Sequence, residues 1–352
     1  MARWEGTLDG RVQGDGRGRI PGWARSLVQR AVFWVAVLNL VTIVGTGALS
    51  RGHTFWMPSN LQSLALSASE MVVLAVGSAL LLGAGQFDIS LGPNLILSSV
   101  VAAEVLLALS GGQSGIAGGG HQALPLAIAV SVLAGIAAST AVGAINGLVV
   151  VRFRVNALIA TLGTLGIADG IALIVTNGAD VANLPRSLQS DFGVARLGGV
   201  PEESIVALAV AVGLWFLLEK TGYGVRTLAI GSSGEAGRRA GINVGLHTWA
   251  LFTLVGGLAG VSGVLDLMQF GTTNVAGHQT DALVAISAAV IGGATLSGGR
   301  ASIGGATLGA IWIVVVESAL VALGVSAYYQ FVAVGAALIA AVAVDELRRQ
   351  RP

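Results

Sequence analysis

The residues able to do chemistry in this chain are few, and their spacing does not suit catalysis. Four histidines occur, His53, His121, His247 and His278, and none stands in the H-E-x-x-H spacing that puts two imidazoles on one helix face for zinc. Near segment ends or in loops, they read as structural residues. Cysteine is absent, which removes thiolate nucleophiles, disulfides, cysteine-bound zinc and iron–sulfur clusters together. Serine and threonine are plentiful, but none lies in a G-x-S-x-G elbow. No apolar segment carries two carboxylates paired for acid–base work. The single lysine, Lys220, ends no glycine-rich loop, so the G-x-x-x-x-G-K-[ST] phosphate cradle cannot be written anywhere. No catalytic residue, metal-ligand set or cofactor is therefore expected. Whatever this protein does with ATP, it does not hydrolyse it with a phosphate loop of its own.

What remains is a small set of ionisable residues inside apolar runs: Glu70, Glu104, Asp169, Asp266 and Glu317, with Asp88 at a helix end. A charge at the centre of a membrane span costs about 2.5–3.5 kcal/mol on insertion scales, so each should face protein or water. They could line a translocation path or serve in pairing and capping. Glu70 and Asp266, near segment ends, fit the second role better, whereas Glu104 and Glu317 stay open. The acids are too scattered to build a proton relay.

Three stretches are more specific. In Gly85-Gln86-Phe87-Asp88-Ile89-Ser90-Leu91-Gly92, Asp88 and Ser90 can cap the unpaired N–H groups of the next helix. Between Gly222 and Val244, the run Ser233-Gly234-Glu235-Ala236-Gly237-Arg238-Arg239-Ala240 predicts a short charged helix after a serine cap, stopped by Gly241. Such a helix suits docking to a soluble partner; a solvated loop is the plainer alternative. The third stretch, Ile291-Gly292-Gly293-Ala294-Thr295-Leu296-Ser297-Gly298-Gly299-Arg300-Ala301-Ser302-Ile303-Gly304, is a turn with one arginine.

The elements that must position these residues are apolar helices. Of 352 residues, 54% are hydrophobic and only 11% charged, against about 25% charged in a soluble domain. Mean hydropathy is +0.81. Apolar spans are expected at 28–49, 69–86, 91–110, 123–150, 156–177, 204–219, 247–270, 282–296, 304–322 and 330–344. The fold class is thus all-α, a polytopic integral membrane bundle of about ten transmembrane helices. The first span exceeds the 7–15-residue core of a signal peptide. Residues 1–27 read as a flexible basic tail, 28–347 as the membrane domain, and 348–352 as a second basic tail.

Ten spans with the N-terminus inside place 1–27, 87–90, 151–155, 220–246, 297–303 and 345–352 in the cytoplasm. With Arg30 counted in the tail, only Arg51, Arg186 and Arg196 of the 19 Lys+Arg residues fall outside those segments. This is the positive-inside bias, and it puts both termini in the cytoplasm. G-x-x-x-G pairs at Gly143/Gly147, Gly166/Gly170, Gly256/Gly260 and Gly305/Gly309 suit close helix packing, either within the bundle or between two copies. The glycine-flanked segments Gly83–Gly92 and Gly292–Gly305 read either as broken helices in a two-half repeat or as tight hairpins.

Taken together, these stretches resemble the permease subunit of bacterial ABC importers of the ribose/xylose sugar type. Gly85 to Gly92 resembles the family's G-G-I-D-L-S-V-G. Gly143-Ala144-Ile145-Asn146-Gly147 with Ala160-Thr161-Leu162-Gly163-Thr164-Leu165 resembles its N-G and T-L-G-T stretch. Gly231 to Val244, Ile291 to Gly304 and Gly324-Val325-Ser326-Ala327-Tyr328-Tyr329-Gln330 are similar to three further family motifs. The likeness covers roughly residues 55–347, with the motifs in consistent order. Departures include Gln86-Phe87 for Gly-Ile, Pro93 after Gly92, Asn156-Ala157 where two prolines are frequent, and Ala282 where an acid is frequent, with Asp281 one step earlier.

The resemblance implies a permease of the inner membrane that moves a monosaccharide such as ribose or xylose. It also implies cytosolic ATPase subunits, an extracytoplasmic solute-binding protein and a second permease, identical or homologous; no nucleic-acid partner is expected. Gly234, Glu235, Ala236, Arg238, Arg239 and Gly241 would couple to the ATPase. Asp88, Ser90, Asn94, Asn146, Thr161, Gly292 and Gly293 are candidates for the path or its broken helices. A permease for branched-chain amino acids or nucleosides, and a secondary carrier or channel acting alone, are the alternatives.

Overall fold

A computed structural model describes residues 22–111, 124–182 and 184–326, with 328, 329, 332, 335, 336 and 339 beyond them. The elements are α1 (Gly22–Leu49), a 3-10 turn (Arg51–Trp56), α2 (Pro58–Gly83), α3 (Leu91–Leu109), α4 (Leu124–Arg152) and α5 (Ala157–Thr176). After a two-residue hairpin of β1 (Arg196–Leu197) and β2 (Val200–Pro201) come α6 (Glu202–Lys220), α7 (Gly222–Ser232), α8 (Gly234–Arg239), α9 (Val244–Phe270), α10 (Asp281–Ile291) and α11 (Ile303–Ala322). Their starts follow local chemistry. Asn156, Thr221, Ser233, Asn243 and Ser302 each accept a backbone N–H from the first turn of the helix that follows. Pro58 opens α2, where its missing N–H costs nothing.

Among the described residues, seven helices (α1 to α5, α9 and α11) are long and apolar enough to cross a membrane. α6 and α7 make an eighth if read as one span bent by 72°. The chain is a polytopic helical membrane bundle. Two expectations change in detail. The segment expected at 282–296 is an 11-residue helix, α10, which at 1.5 Å per residue covers only about 16 Å, half a bilayer core. The span expected to start at 69 starts at Pro58, which puts Glu70 in mid-helix rather than near an end. The expected span 330–344 falls almost wholly outside the described residues, as do the terminal tails.

α2, α3 and α9 form the buried centre, whereas α4, α5 and the Val32–Leu49 part of α1 lie outside, with only about a quarter of their residues buried. The α4–α9 contact is made by glycine on glycine. A Cβ at Gly256 would sit 2.7 Å from the Gly143 Cα, and one at Gly143 would sit 2.8 Å from the Gly256 Cα. Gly147 meets Trp249, Gly260 meets Ile136, and Gly309 lies against the Ala288 carbonyl. Lipid gives helices no hydrophobic reason to pair, so close backbone packing supplies the attraction. Gly163, Gly166 and Gly170 on α5 have nothing near their would-be Cβ atoms. Three of the four G-x-x-x-G pairs therefore hold the bundle together, and the fourth faces outward.

The ends of the bundle are sorted by charge. Gly83 lies against Leu228 and Ala301, Gly85 lies against Gly231 and Ser297, and Gly299 N–H donates to the Gly83 carbonyl at 3.0 Å. This end carries Arg152, Arg154, Lys220, Arg226, Arg238, Arg239 and Arg300. At the opposite end, Gln62 donates to Val194, Gln189 donates to Gln269, and Thr273 donates to Val181. α2 thus runs toward the basic end, and α9 runs away from it.

Two helix breaks meet in the interior. After α2, residues 84–90 turn back into the bundle before α3 begins; after α9, residues 271–280 enter from the opposite end before α10 begins. The first turns of α3 and α10 come together there, with the would-be Cβ of Gly92 3.9 Å from the Asp281 Cβ and against the His278 carbonyl oxygen. Antiparallel α2–α3 and α9–α10 units with breaks at matching places suit an inverted repeat.

Gly256→Ala should destabilise the purified protein by about 1–3 kcal/mol, the usual cost of overpacking. Gly166→Ala should leave monomer stability within about 0.5 kcal/mol. Thermal unfolding of the two variants in detergent checks the contrast.

Candidate functional site

Four of the seven path candidates converge in one buried network at the first helix break. The Asp88 Oδ1 accepts from the Ser90 backbone N–H at 2.8 Å and from the Ser90 hydroxyl at 2.5 Å. The Asn146 side chain on α4 donates to the Ser90 Oγ at 3.0 Å and points its Nδ2 at the Asp88 Oδ2, 3.4 Å away. From α5, the Thr161 hydroxyl accepts from Ile89 N–H at 3.3 Å, and the Thr164 hydroxyl donates to the Asn146 Oδ1 at 2.6 Å. Asp88, Ser90, Asn146 and Thr161 are 0–2% exposed. The network ties the 84–90 segment to α4 and α5, and it suits stabilising one of two arrangements of that segment.

Asn94, one turn into α3, binds the Ser139 carbonyl at 3.2 Å instead and does not join. Gly292 and Gly293 lie elsewhere: Gly292 packs on the backbone of Gly305 and Ala306, and Gly293 turns the chain with φ 100°.

A second cluster occupies the other break. The His278 Nδ1 is 2.7 Å from the Asp281 Oδ2 and 3.4 Å from the Glu70 Oε1, and its Nε2 is 3.3 Å from the Asp266 Oδ1. His278 has φ 57°, in the left-handed region that a residue with a side chain seldom adopts, so surrounding contacts must hold it there. Next to it, the Gln279 amide donates to the Asp169 Oδ1 on α5 at 2.9 Å. Glu70 and Asp266 do pair with a partner, as expected; Asp266 lies near the end of α9, whereas Glu70 sits at the middle of α2.

The third feature is α8 at the basic end. The Ser233 hydroxyl accepts Ala236 N–H at 3.2 Å, and Gly241 ends the turn with φ 81°. Glu235 and Arg239 form an i,i+4 ion pair with side chains 69% and 79% exposed, and Arg238 is exposed as well. Ala236 also faces outward and Gly234 is half-buried, whereas Gly237 rests on Ile230, Ile242 and Val244. A groove of about 810 Å³ runs from Arg238 and Val244 to Gly85, Gln86 and Phe87, so it joins α8 to the segment that carries Asp88.

Comparison with known proteins gives the family of the whole chain. The family model for the branched-chain amino acid transport system permease component matches residues 60–342. The chain belongs to this permease family. It is 30% identical over 319 residues to the ribose import permease protein of Escherichia coli K12, covering 90% of this chain and 93% of that protein. It is 33% identical to the L-arabinose ABC transporter permease of Azospirillum brasilense, with 84% and 83% covered. The galactose/methyl galactoside import permease of E. coli K12 is 31% identical, with 90% and 94% covered. Although the family description mentions amino acids, these relatives are sugar permeases, which favours the sugar reading over the alternatives.

Two further participants in this permease differ in how far the sequence reveals them. Thr164 lies three residues after Thr161, so helical spacing already puts it on the same face. The His278 cluster leaves almost no trace, because residues 70, 266 and 278 are brought together only by the fold.

Asn146→Ala would take a partner from the buried Ser90 hydroxyl, which keeps Asp88, from the buried Asp88 Oδ2, and from the half-buried Thr164 hydroxyl, which keeps the Ala160 and Thr161 carbonyls. It should cost about 1–3 kcal/mol of stability per unsatisfied group, read from thermal unfolding. Asn146→Asp should be worse, since it faces a second carboxylate with the Asp88 oxygen.

Proposed function

We propose that this permease is the membrane subunit of an ATP-driven importer for a monosaccharide. Its basic end faces the cytoplasm, and α8 docks a separate ATPase. The observation that carries the coupling is the groove shared by Arg238 and the Gly85–Phe87 segment. A push on α8 reaches the first helix break directly, through α7, whose Gly231 lies against the Gly83 carbonyl and the backbone of Gly299. The Asp88–Ser90–Asn146–Thr161 network then resists or permits movement of that segment against α4 and α5. Net transport follows when the two arrangements differ in affinity for the sugar and the ATPase cycle drives their exchange. The permease itself performs no catalysis.

The path runs beside α5 and the 271–280 segment, where a second permease subunit completes it. Three features support this placement. α5 turns Gly163, Gly166 and Gly170 outward, Gln279 and Thr280 are exposed close to mid-depth, and Asp169 is only half-buried. Polar groups at that level belong against protein or water, not lipid. An extracytoplasmic binding protein delivers the sugar to the opposite end.

Proteoliposomes holding this permease with an ATPase and a sugar-binding protein should accumulate monosaccharide only with ATP. Accumulation by the permease alone, against a gradient, overturns the assignment. Arg238→Glu combined with Arg239→Glu should abolish ATP-dependent uptake while leaving membrane insertion intact, as judged by the yield of folded protein. Unchanged uptake would remove α8 as the docking element.

A further inference from the structure

The cluster at the second helix break gathers more carboxyl groups than its single histidine can pair. Glu70 from α2, Asp266 from α9 and Asp281 from α10 surround His278, and Glu203 from α6 and Glu317 from α11 are close enough to interact with the cluster electrostatically. Asp266, 1% exposed, faces only the His278 Nε2 at 3.3 Å, and Glu203, 2% exposed, has no hydrogen-bond partner among the described residues. A buried carboxylate without partners is costly, and either protonation or a bound cation relieves that cost.

The donor geometry specifies the kind of cation. His278 Nδ1, one Glu70 oxygen and one Asp281 oxygen lie within 4.8 Å of one another, with 2.7 Å and 3.4 Å measured from the imidazole nitrogen. An ion held at about 2.0–2.2 Å from each would need shifts of only about 1 Å. On the far side of the ring, Nε2 faces the buried Asp266 carboxylate at 3.3 Å. That is the carboxylate–histidine–metal arrangement: the outer acid fixes the tautomer and leaves the other nitrogen free to bind the ion. Imidazole with carboxylates suits a first-row transition metal, whereas Mg2+ and Ca2+ prefer all-oxygen shells.

We propose that Glu70, His278 and Asp281 bind one divalent transition-metal ion, such as Zn2+ or Mn2+, with Asp266 orienting the imidazole. No metal site is legible in the sequence, because Glu70 stands more than 200 residues before His278 and Asp281 along the chain. The ion clamps the 271–280 segment and the start of α10 to α2. It also offsets the buried acids around it. The site does not depend on which solute the permease moves.

The test uses the full chain, purified in detergent on a tag without histidine, stripped with chelator and dialysed against Zn2+, Mn2+ or Mg2+ separately. Elemental analysis should find one Zn2+ or Mn2+ per chain, and thermal unfolding should shift upward with that ion but not with Mg2+. Glu70→Gln and His278→Ala should each lose the ion. Asp266→Asn should weaken binding about 10–100-fold. Should His278→Ala fail to fold, Glu70→Gln alone decides. Absence of stoichiometric Zn2+ or Mn2+ overturns the proposal, and so does equal uptake of Mg2+. Binding that survives in Glu70→Gln also overturns it, since the ion would then sit elsewhere.

Discussion

In hydrocarbon, a peptide group that loses its helical partner costs several kcal/mol, so a chain that breaks a helix inside a membrane must replace the lost bonds at once. Residues 84–90 and 271–280 do so with different means. In the first, Asp88 accepts the Ser90 N–H and Thr161 accepts the Ile89 N–H. In the second, Asp180 accepts the Val275 N–H, the Val181 carbonyl accepts the Thr273 N–H, and the His278 carbonyl accepts the Asp281 N–H. Polar side chains therefore concentrate at the two breaks because the backbone there needs them. Those residues are also the ones able to act on a polar solute, so the structural demand and the functional opportunity coincide.

The breaks could not meet without a small residue at the crossing. Gly92 stands where a Cβ would collide with the His278 carbonyl. The first turns of α3 and α10 consequently lie in the same interior space, and Asp281 at the positive end of α10 gains from the helix dipole. Packing elsewhere follows the same economy, with Gly143 and Gly256 allowing α4 and α9 to touch along their backbones. Such interfaces have few intermediate positions, which favours switching between discrete arrangements over gradual bending.

Charge is arranged with equal consistency. Cations gather at the end formed by the 84–86, 152–156, 220–243 and 292–302 connections, and buried acids gather at mid-depth near the second break. The exposed Glu235–Arg239 pair on α8 contributes little stability, as surface ion pairs generally do. Its position on a raised helix at the basic rim gives it significance. There it shares a groove with the segment whose conformation the Asp88 network governs.

Composition and hydropathy alone determine that this chain is a helical membrane bundle, because apolar length and charge scarcity are one-dimensional properties. The order of the motifs was enough to suggest the permease family, and capping chemistry placed α8 where Ser233 and Gly241 predict it. Asp88 and Ser90 were legible as polar residues at a helix start, but Ser90 makes no side-chain cap bond to α3 and gives its hydroxyl to Asp88 instead; Thr164 was legible by its spacing from Thr161. The fold decided what lies between distant segments: that α2 begins at Pro58 and carries Glu70 to mid-depth, that α10 is half a span, and that 271–280 rather than 292–305 faces Gly92. It also decided that one glycine pair points outward while three are buried, although all four share one pattern. Helical periodicity fixes which residues share a face, whereas the partner of that face is set by packing among helices far apart in the chain.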